Sequence, residues 1–117
     1  MSDKRRLKRR HLIYYLSVFD GKTDHLVGQL VDLTVEGLML TSENLIEQGE
    51  KYNLRMVLPE EIRGRTQLFF EAETVWCKKD INPNFYDIGF RLTNISKTDI
   101  KVIETLIYDF SFLDFQG

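Results

Sequence analysis

At 117 residues, 43% hydrophobic and 12% aromatic, the chain has the composition of one globular domain with a real core, which excludes a disordered protein and leaves no room for a second domain. Its one cysteine, Cys77, excludes an internal disulfide, and His11 and His25 are too few beside it to form a zinc ligand set. Charge is unevenly placed: the first ten residues hold six cations and one anion (Asp3), so the totals of 16 Lys and Arg against 18 Asp and Glu leave ten against seventeen elsewhere, an arm of +5 on a body of −7.

Residues 1–11 are read as a basic arm and residues 12–117 as the folded domain. No apolar run approaches the ~20 residues of a membrane span, and no apolar signal-peptide segment follows the leading charges, so the expectation is a soluble, cytoplasmic protein. From residue 12 to 19 the chain is aromatic and branched, with Leu12, Tyr14, Leu16 and Val18 as one apolar alternate set, which predicts a strand starting where the arm ends. Asp20 to Asp24 supplies a turn, with Gly21 expected to take a positive φ, and Leu26 to Leu33 returns as the second strand of an antiparallel hairpin. Asp32-Leu33-Thr34-Val35-Glu36-Gly37 then leads into the short apolar run Leu38-Met39-Leu40.

Thr41 to Gly49 is read as a connector of one or two helical turns, capped by Ser42 and stopped by Gly49. Tyr52, Leu54, Met56 and Leu58 alternate with Asn53, Arg55 and Val57, a further strand before the turn-rich Pro59 to Arg65. Thr66 to Cys77 is a long strand with Leu68, Phe70, Ala72, Thr74 and Trp76 on one face; Trp76, Phe70 and Phe90 are all expected in the core. After Pro83, Tyr86, Ile88, Phe90 and Leu92 mark the last strand. The period then changes: Ser96 to Asp99 reads as a capping box, and Ile100, Ile103, Leu106, Ile107 and Phe110 follow at helical spacing, giving a helix over about 96–110. Beyond it Phe112, Leu113 and Phe115 either pack on the barrel or offer a sticky end to a partner. About six antiparallel strands with one terminal helix predict a mainly all-β fold, a small closed or nearly closed barrel.

Two constellations carry chemistry. The arm contains Arg5-x-x-x-Arg9 and, one residue on, Arg6-x-x-x-Arg10. A guanidinium is a planar fork of donors that grips phosphate bidentately and stacks on a base, so either pair suits two phosphates, or a phosphate and a purine; seen alone, the arm equally fits a solvated terminus or a nonspecific polyanion binder. In Asp32-x-Thr34-x-x-Gly37 the carboxylate can accept two N–H groups of a guanine edge, the hydroxyl can meet a phosphate or base, and the glycine admits a close ligand; the same three residues equally fit a turn that satisfies its own backbone. His11 is either a further ring for the arm or a strand-edge histidine, and Glu71 and Glu73 read as solvated strand carboxylates. No nucleophile–base pair, metal cluster or Gly-rich phosphate loop supports catalysis.

With both motifs in this order, the sequence resembles the PilZ family of cyclic di-GMP receptors, which is marked by RxxxR ahead of a six-stranded barrel and by [D/N]xSxxG on its surface. Arg5-Arg6-Leu7-Lys8-Arg9 matches the first and Asp32 to Gly37 the second, with Thr34 in the serine place; Trp76 and Ile88-Gly89-Phe90-Arg91-Leu92 extend the likeness over nearly the whole chain. The resemblance implies a bacterial, non-enzymatic receptor without a cofactor. In it Arg5 and Arg9, or Arg6 and Arg10 in the overlapping register, hold phosphates and guanine faces, while Asp32, Thr34 and Gly37 line the barrel side. Cyclic di-GMP binding would order a mobile arm and alter the surface shown to a downstream protein partner. Two rival expectations are a nonspecific nucleic-acid binder, which the −7 body disfavours, and a PilZ-like adaptor that has lost its ligand.

Overall fold

The computed structural model describes residues 16–60, 62 and 64–110, with the side chains of 109 and 110 excepted. Six strands, β1 (Ser17–Asp20), β2 (Leu26–Leu33), β3 (Gly37–Ser42), β4 (Lys51–Val57), β5 (Gln67–Lys79) and β6 (Tyr86–Asn94), are followed by one helix, α1 (Lys97–Phe110). The strands close into an antiparallel barrel in the order β1-β2-β3-β6-β5-β4, with β4 returning to β1. Closure leaves every strand of the ring paired on both sides, which removes the exposed edges that a six-stranded open sheet would present.

Alternation chooses the inward faces. Leu16 and Val18, Leu30, Leu38 and Leu40, Leu54 and Met56, Leu68, Phe70 and Ala72, and Ile88 and Phe90 are buried together as one core. Across the middle of the barrel Leu30, Leu40 and Ile88 are in register on β2, β3 and β6, each fully buried. Beneath the barrel α1 contributes Ile103 and Leu106, both fully buried in the same core. Its start is fixed by Ser96, whose Oγ accepts the Asp99 N–H at 3.1 Å, as the capping box anticipates. Asp99 does not complete the box by reaching back. Its carboxylate pairs with Arg65 at 2.9 Å, tying the helix start to the β4–β5 connection while also complementing the helix dipole.

Several expectations are corrected. Residues 43–49 contain no helical turn: Ser42 ends β3, its Oγ accepts the Asn44 N–H at 3.1 Å, and the connector is pinned to β5. The pin is Thr74, 1% exposed, whose hydroxyl donates to the Glu47 carbonyl at 2.6 Å and accepts the Glu50 N–H at 2.8 Å. A buried hydroxyl must be satisfied, and these long-range bonds outweigh the weak helical preference of so short a segment. Gly21 does not supply the left-handed residue of its turn, which is Asp24 at φ 66°. Gly21 is instead packed against β4, donating its N–H to the Asn53 carbonyl at 2.6 Å, where an added Cβ would sit 3.1 Å from that same oxygen. The expectations for Leu12, Tyr14, Phe110, Phe112, Leu113 and Phe115 lie outside the described residues or side chains.

Because Leu40 is fully buried between its register neighbours Leu30 and Ile88, Leu40→Ala is expected to destabilise the fold by about 2–5 kcal/mol. The urea midpoint falls with an unchanged slope; a midpoint shift near zero contradicts the packing described.

Candidate functional site

The outer surface of β2, β3, β6 and β5 carries the motif residues, and two β-bulges decide which side chains reach it. On β2 the pairing steps from Leu30↔Leu40 to Asp32↔Met39, so Val31 is an extra residue. Strict alternation from Leu30 would send Asp32 inward and Leu33 outward; the bulge reverses both, leaving Leu33 buried and Asp32 half-buried at the surface. On β5 the pairing steps from Thr74↔Phe90 to Trp76↔Gly89, making Val75 the extra residue. Trp76 is therefore not in the core as its alternation predicts. It lies on the outer face, 39% exposed, while Phe70 and Phe90 are buried as expected.

The consequence is a row of residues in register across four strands: Asp32 on β2, Met39 on β3, Gly89 on β6 and Trp76 on β5. Gly89 makes the row possible. The Trp76 indole lies flat over it, so a Cβ at position 89 would come within 2.3 Å of the ring atoms Cε2 and Nε1. The Lys78 ammonium stands 5.5 Å from the Trp76 ring centroid, a cation–π contact that gives the indole a positive neighbour.

The β2–β3 hairpin supplies the second part. Asp32 Oδ1 accepts the Leu33 N–H at 2.8 Å, and among the described residues Oδ2 has no partner. Thr34 Oγ1 accepts the N–H groups of Glu36 and Gly37, both at 3.1 Å, and donates to the Gly37 carbonyl at 3.3 Å, while the Thr34 N–H bonds that carbonyl at 2.9 Å. The hydroxyl thus holds the turn closed. Gly37 does not adopt a positive φ; it is required because β6 passes so near that a Cβ would lie 2.3 Å from the Phe90 carbonyl oxygen and 3.5 Å from the Arg91 Cα. The Leu92 N–H completes the junction on the Glu36 carbonyl at 2.8 Å.

Arg91, directly opposite Gly37, is a surface cation that motif reasoning left unused. Its side chain is 61% exposed and its guanidinium pairs with Glu73 of β5 at 2.7 Å, so Glu73 is a partnered carboxylate and Glu71 a solvent-exposed one. The signal for Trp76 was also present: a glycine in mid-strand opposite an aromatic residue marks a ring lying over bare backbone. Arg5, Arg6, Arg9, Arg10 and His11 lie outside the described residues. Among the described residues no group of three or more His, Cys, Asp or Glu is placed to hold a metal.

Asp87 lies on the same outer face, opposite Thr41 and Lys78. Burial raises its pKa above the ordinary 3.8, a side-chain hydrogen bond with Asp80 and that residue's charge add to the rise, and Lys78 opposes it. Burial likewise raises the Tyr52 phenol, helped by the charges of Glu50 and Asp20.

The described residues thus define a small closed β-barrel with one terminal helix and a polar hairpin set beside a surface tryptophan. A family model described as PilZ domain matches residues 3–109, and the chain belongs to the PilZ domain family. Among solved structures it is similar to the PilZ domain with c-di-GMP of YcgR from Escherichia coli, with a TM-score of 0.66 and 14% identity, covering 87% of this chain and 85% of that one. It is also similar to the Bacillus subtilis inhibitor of motility MotI/DgrA, with a TM-score of 0.65 and 19% identity over 93% of this chain, and to K. pneumoniae MrkH in its apo state, with a TM-score of 0.67 and 14% identity over 92%. It spans 51% and 50% of those two chains. A search of curated proteins finds no match.

Two outcomes follow for the outer face. Gly89→Ala lifts the indole off β6, so Trp76 emission moves to longer wavelength while the far-ultraviolet dichroism of the barrel persists; an unmoved spectrum refutes the stacking. Asp87→Asn removes a carboxylate whose ionised form the fold disfavours, so it raises Tm at pH 7. Wild-type stability from this group is complete below the unfolded value of 3.8 and lost as pH rises through the higher folded value, so the gap between the two proteins closes as pH is lowered toward 3.8.

Proposed function

We propose that the chain is a cyclic di-GMP receptor, without catalytic activity or cofactor, whose basic arm closes over the ligand and alters the surface offered to a protein partner. The observation that carries this reading is the convergence of the family's second motif, Asp32 to Gly37, with Trp76 on one outer face, in a PilZ-family chain whose residues 5–9 spell the first motif. The YcgR domain of similar fold is described with c-di-GMP, which supports the same ligand here.

Each group has a chemical part. Asp32 keeps Oδ1 on the hairpin backbone and offers Oδ2 toward the N–H edge of a guanine, a charge-assisted acceptor for paired donors. Thr34 acts chiefly by fixing the turn, since its lone pairs and proton already serve Glu36 and Gly37. Arg5 and Arg9, or Arg6 and Arg10, supply bidentate phosphate contacts and guanidinium faces for the bases. The Trp76 indole is a flat apolar surface at the far end of the row from Asp32, suited to cover a base or the arm's aliphatic stems. The acidic body opposes a long polyanion outside the arm, which favours a small doubly charged ligand over nucleic acid. No helix among the described residues is long and apolar enough to cross a membrane, which agrees with action in the cytoplasm on a soluble second messenger.

Calorimetric titration with cyclic di-GMP, read in parallel by Trp76 fluorescence, tests the proposal. Saturable heat and an indole response are expected well below about 100 μM, with Asp32→Ala weakening binding at least about tenfold at fixed salt and Thr34→Ser leaving it nearly unchanged. Absence of heat and of an optical change at that concentration defeats it. Binding that survives Asp32→Ala but collapses with added salt identifies a nonspecific polyanion binder instead.

A further inference from the structure

Arg91 stands between two flanks of opposite character. On the β5 side its guanidinium meets Glu73 at 2.7 Å; on the β3 side its register partner is Gly37, which has no side chain and lies within the motif itself. A Cβ built on Gly37 would run into the β6 backbone, 2.3 Å from the Phe90 carbonyl oxygen and 3.5 Å from the Arg91 Cα, so at this register position β3 presents bare backbone and no side chain to the arginine. On its β3 flank Arg91 therefore has no competing side chain at its register partner, and among the described residues no side chain other than Glu73 is bonded to its guanidinium.

We propose that Arg91 and Glu73 form an electrostatic latch on the ligand site, an inference that rests on the functional reading above and extends it to two residues outside both motifs. In the empty protein Glu73 neutralises Arg91. A phosphate of the cyclic dinucleotide arriving over Gly37 competes for the guanidinium and draws it away from Glu73 toward β3. The exchange is feasible because an ion pair this exposed contributes little, whereas a guanidinium–phosphate pair is bidentate and charge-assisted. Once Arg91 turns away, Glu73 loses its partner on β6. Lys51, its register neighbour on β4, is the cation nearest in the sheet to take that place, so ligand arrival is passed to the far side of β5.

The latch makes Glu73 an antagonist of binding and Arg91 a contributor, and the two effects depend on each other. Calorimetry with cyclic di-GMP on the full chain and on Glu73→Gln, Arg91→Ala and the double variant reads this as a cycle. Expected are an affinity about two- to fivefold tighter in Glu73→Gln, the range open to an exposed pair, and about tenfold weaker in Arg91→Ala, with the Glu73→Gln gain abolished in the Arg91→Ala background. A gain that persists without Arg91 overturns the latch, because it is then only the removal of a negative charge near an anionic ligand. Wild-type affinity in both single variants overturns it as well. A wild-type chain that binds no cyclic di-GMP refutes the functional reading and the latch with it, whereas binding with an additive cycle refutes the latch alone. All four proteins should retain the wild-type Tm within a few degrees, since the ion pair is exposed; a large loss of Tm in Glu73→Gln assigns the pair to the fold and overturns the latch.

Discussion

The barrel and its outer face both depend on how closely β3 approaches β6. At Gly37 the two backbones are so near that a Cβ cannot be added without meeting the Phe90 carbonyl, and from this point the strands run in unbroken register from Gly37↔Arg91 to Ser42↔Tyr86. The pairing joins segments about fifty residues apart in sequence, so its loop-closure cost is entropic and must be offset by the core it creates, chiefly Leu38, Leu40, Ile88 and Phe90. Without it the ring does not close, the hairpin has no neighbour on which to lean its Glu36 carbonyl, and Asp32 and Trp76 have no common surface.

The same junction explains why the motif residues serve two purposes. Asp32 and Thr34 satisfy hairpin N–H groups, and Gly37 allows β6 to pass, so each has a structural reason to be what it is before any ligand is considered. That does not weaken a binding role. A carboxylate already anchored through one oxygen has its rotamer chosen in advance, and a hydroxyl that closes a turn fixes the backbone around it, so less entropy remains to be lost when a ligand arrives. The bulges act in the same sense: each inserts one residue, Val31 or Val75, and turns its neighbour toward the site.

Much of this was legible in the residues. The alternations Leu54/Met56 and Ile88/Phe90, and the Ser96 cap with Ile103 and Leu106 behind it, specify strands, a helix and their inward faces because burial selects periods of two and 3.6. What alternation cannot express is a change of phase. A one-residue bulge inverts every face beyond it, which is why Trp76 reads as core in sequence and stands at the surface in space. The connector 43–49 misleads for another reason: Ser42 and Gly49 carry the local marks of a short helix, but the Thr74 hydroxyl, distant in sequence, claims the Glu47 carbonyl and the Glu50 amide. Gly21 misleads through a third cause, since sequence announces a glycine's freedom of φ more readily than the neighbour its bare α-carbon admits. Asp32, Thr34 and Gly37 stand out as a set by family resemblance and by the chemistry each offers, whereas Arg91, though part of the Ile88 to Leu92 likeness, shows its place beside Gly37 only through the pairing of β6 with β3.

The shortest strand of the ring has a part out of proportion to its length. β1 spans only Ser17–Asp20, yet it is the seam of the barrel, pairing with β2 on one side and β4 on the other, and its register slips between Val18 and Phe19. A closed ring fails first at its weakest seam, so β1 is where local opening of the native state should concentrate. It is also the strand into which the N-terminal basic segment runs. The smallest strand of the ring is thus also the one next in the chain to its densest run of positive charge.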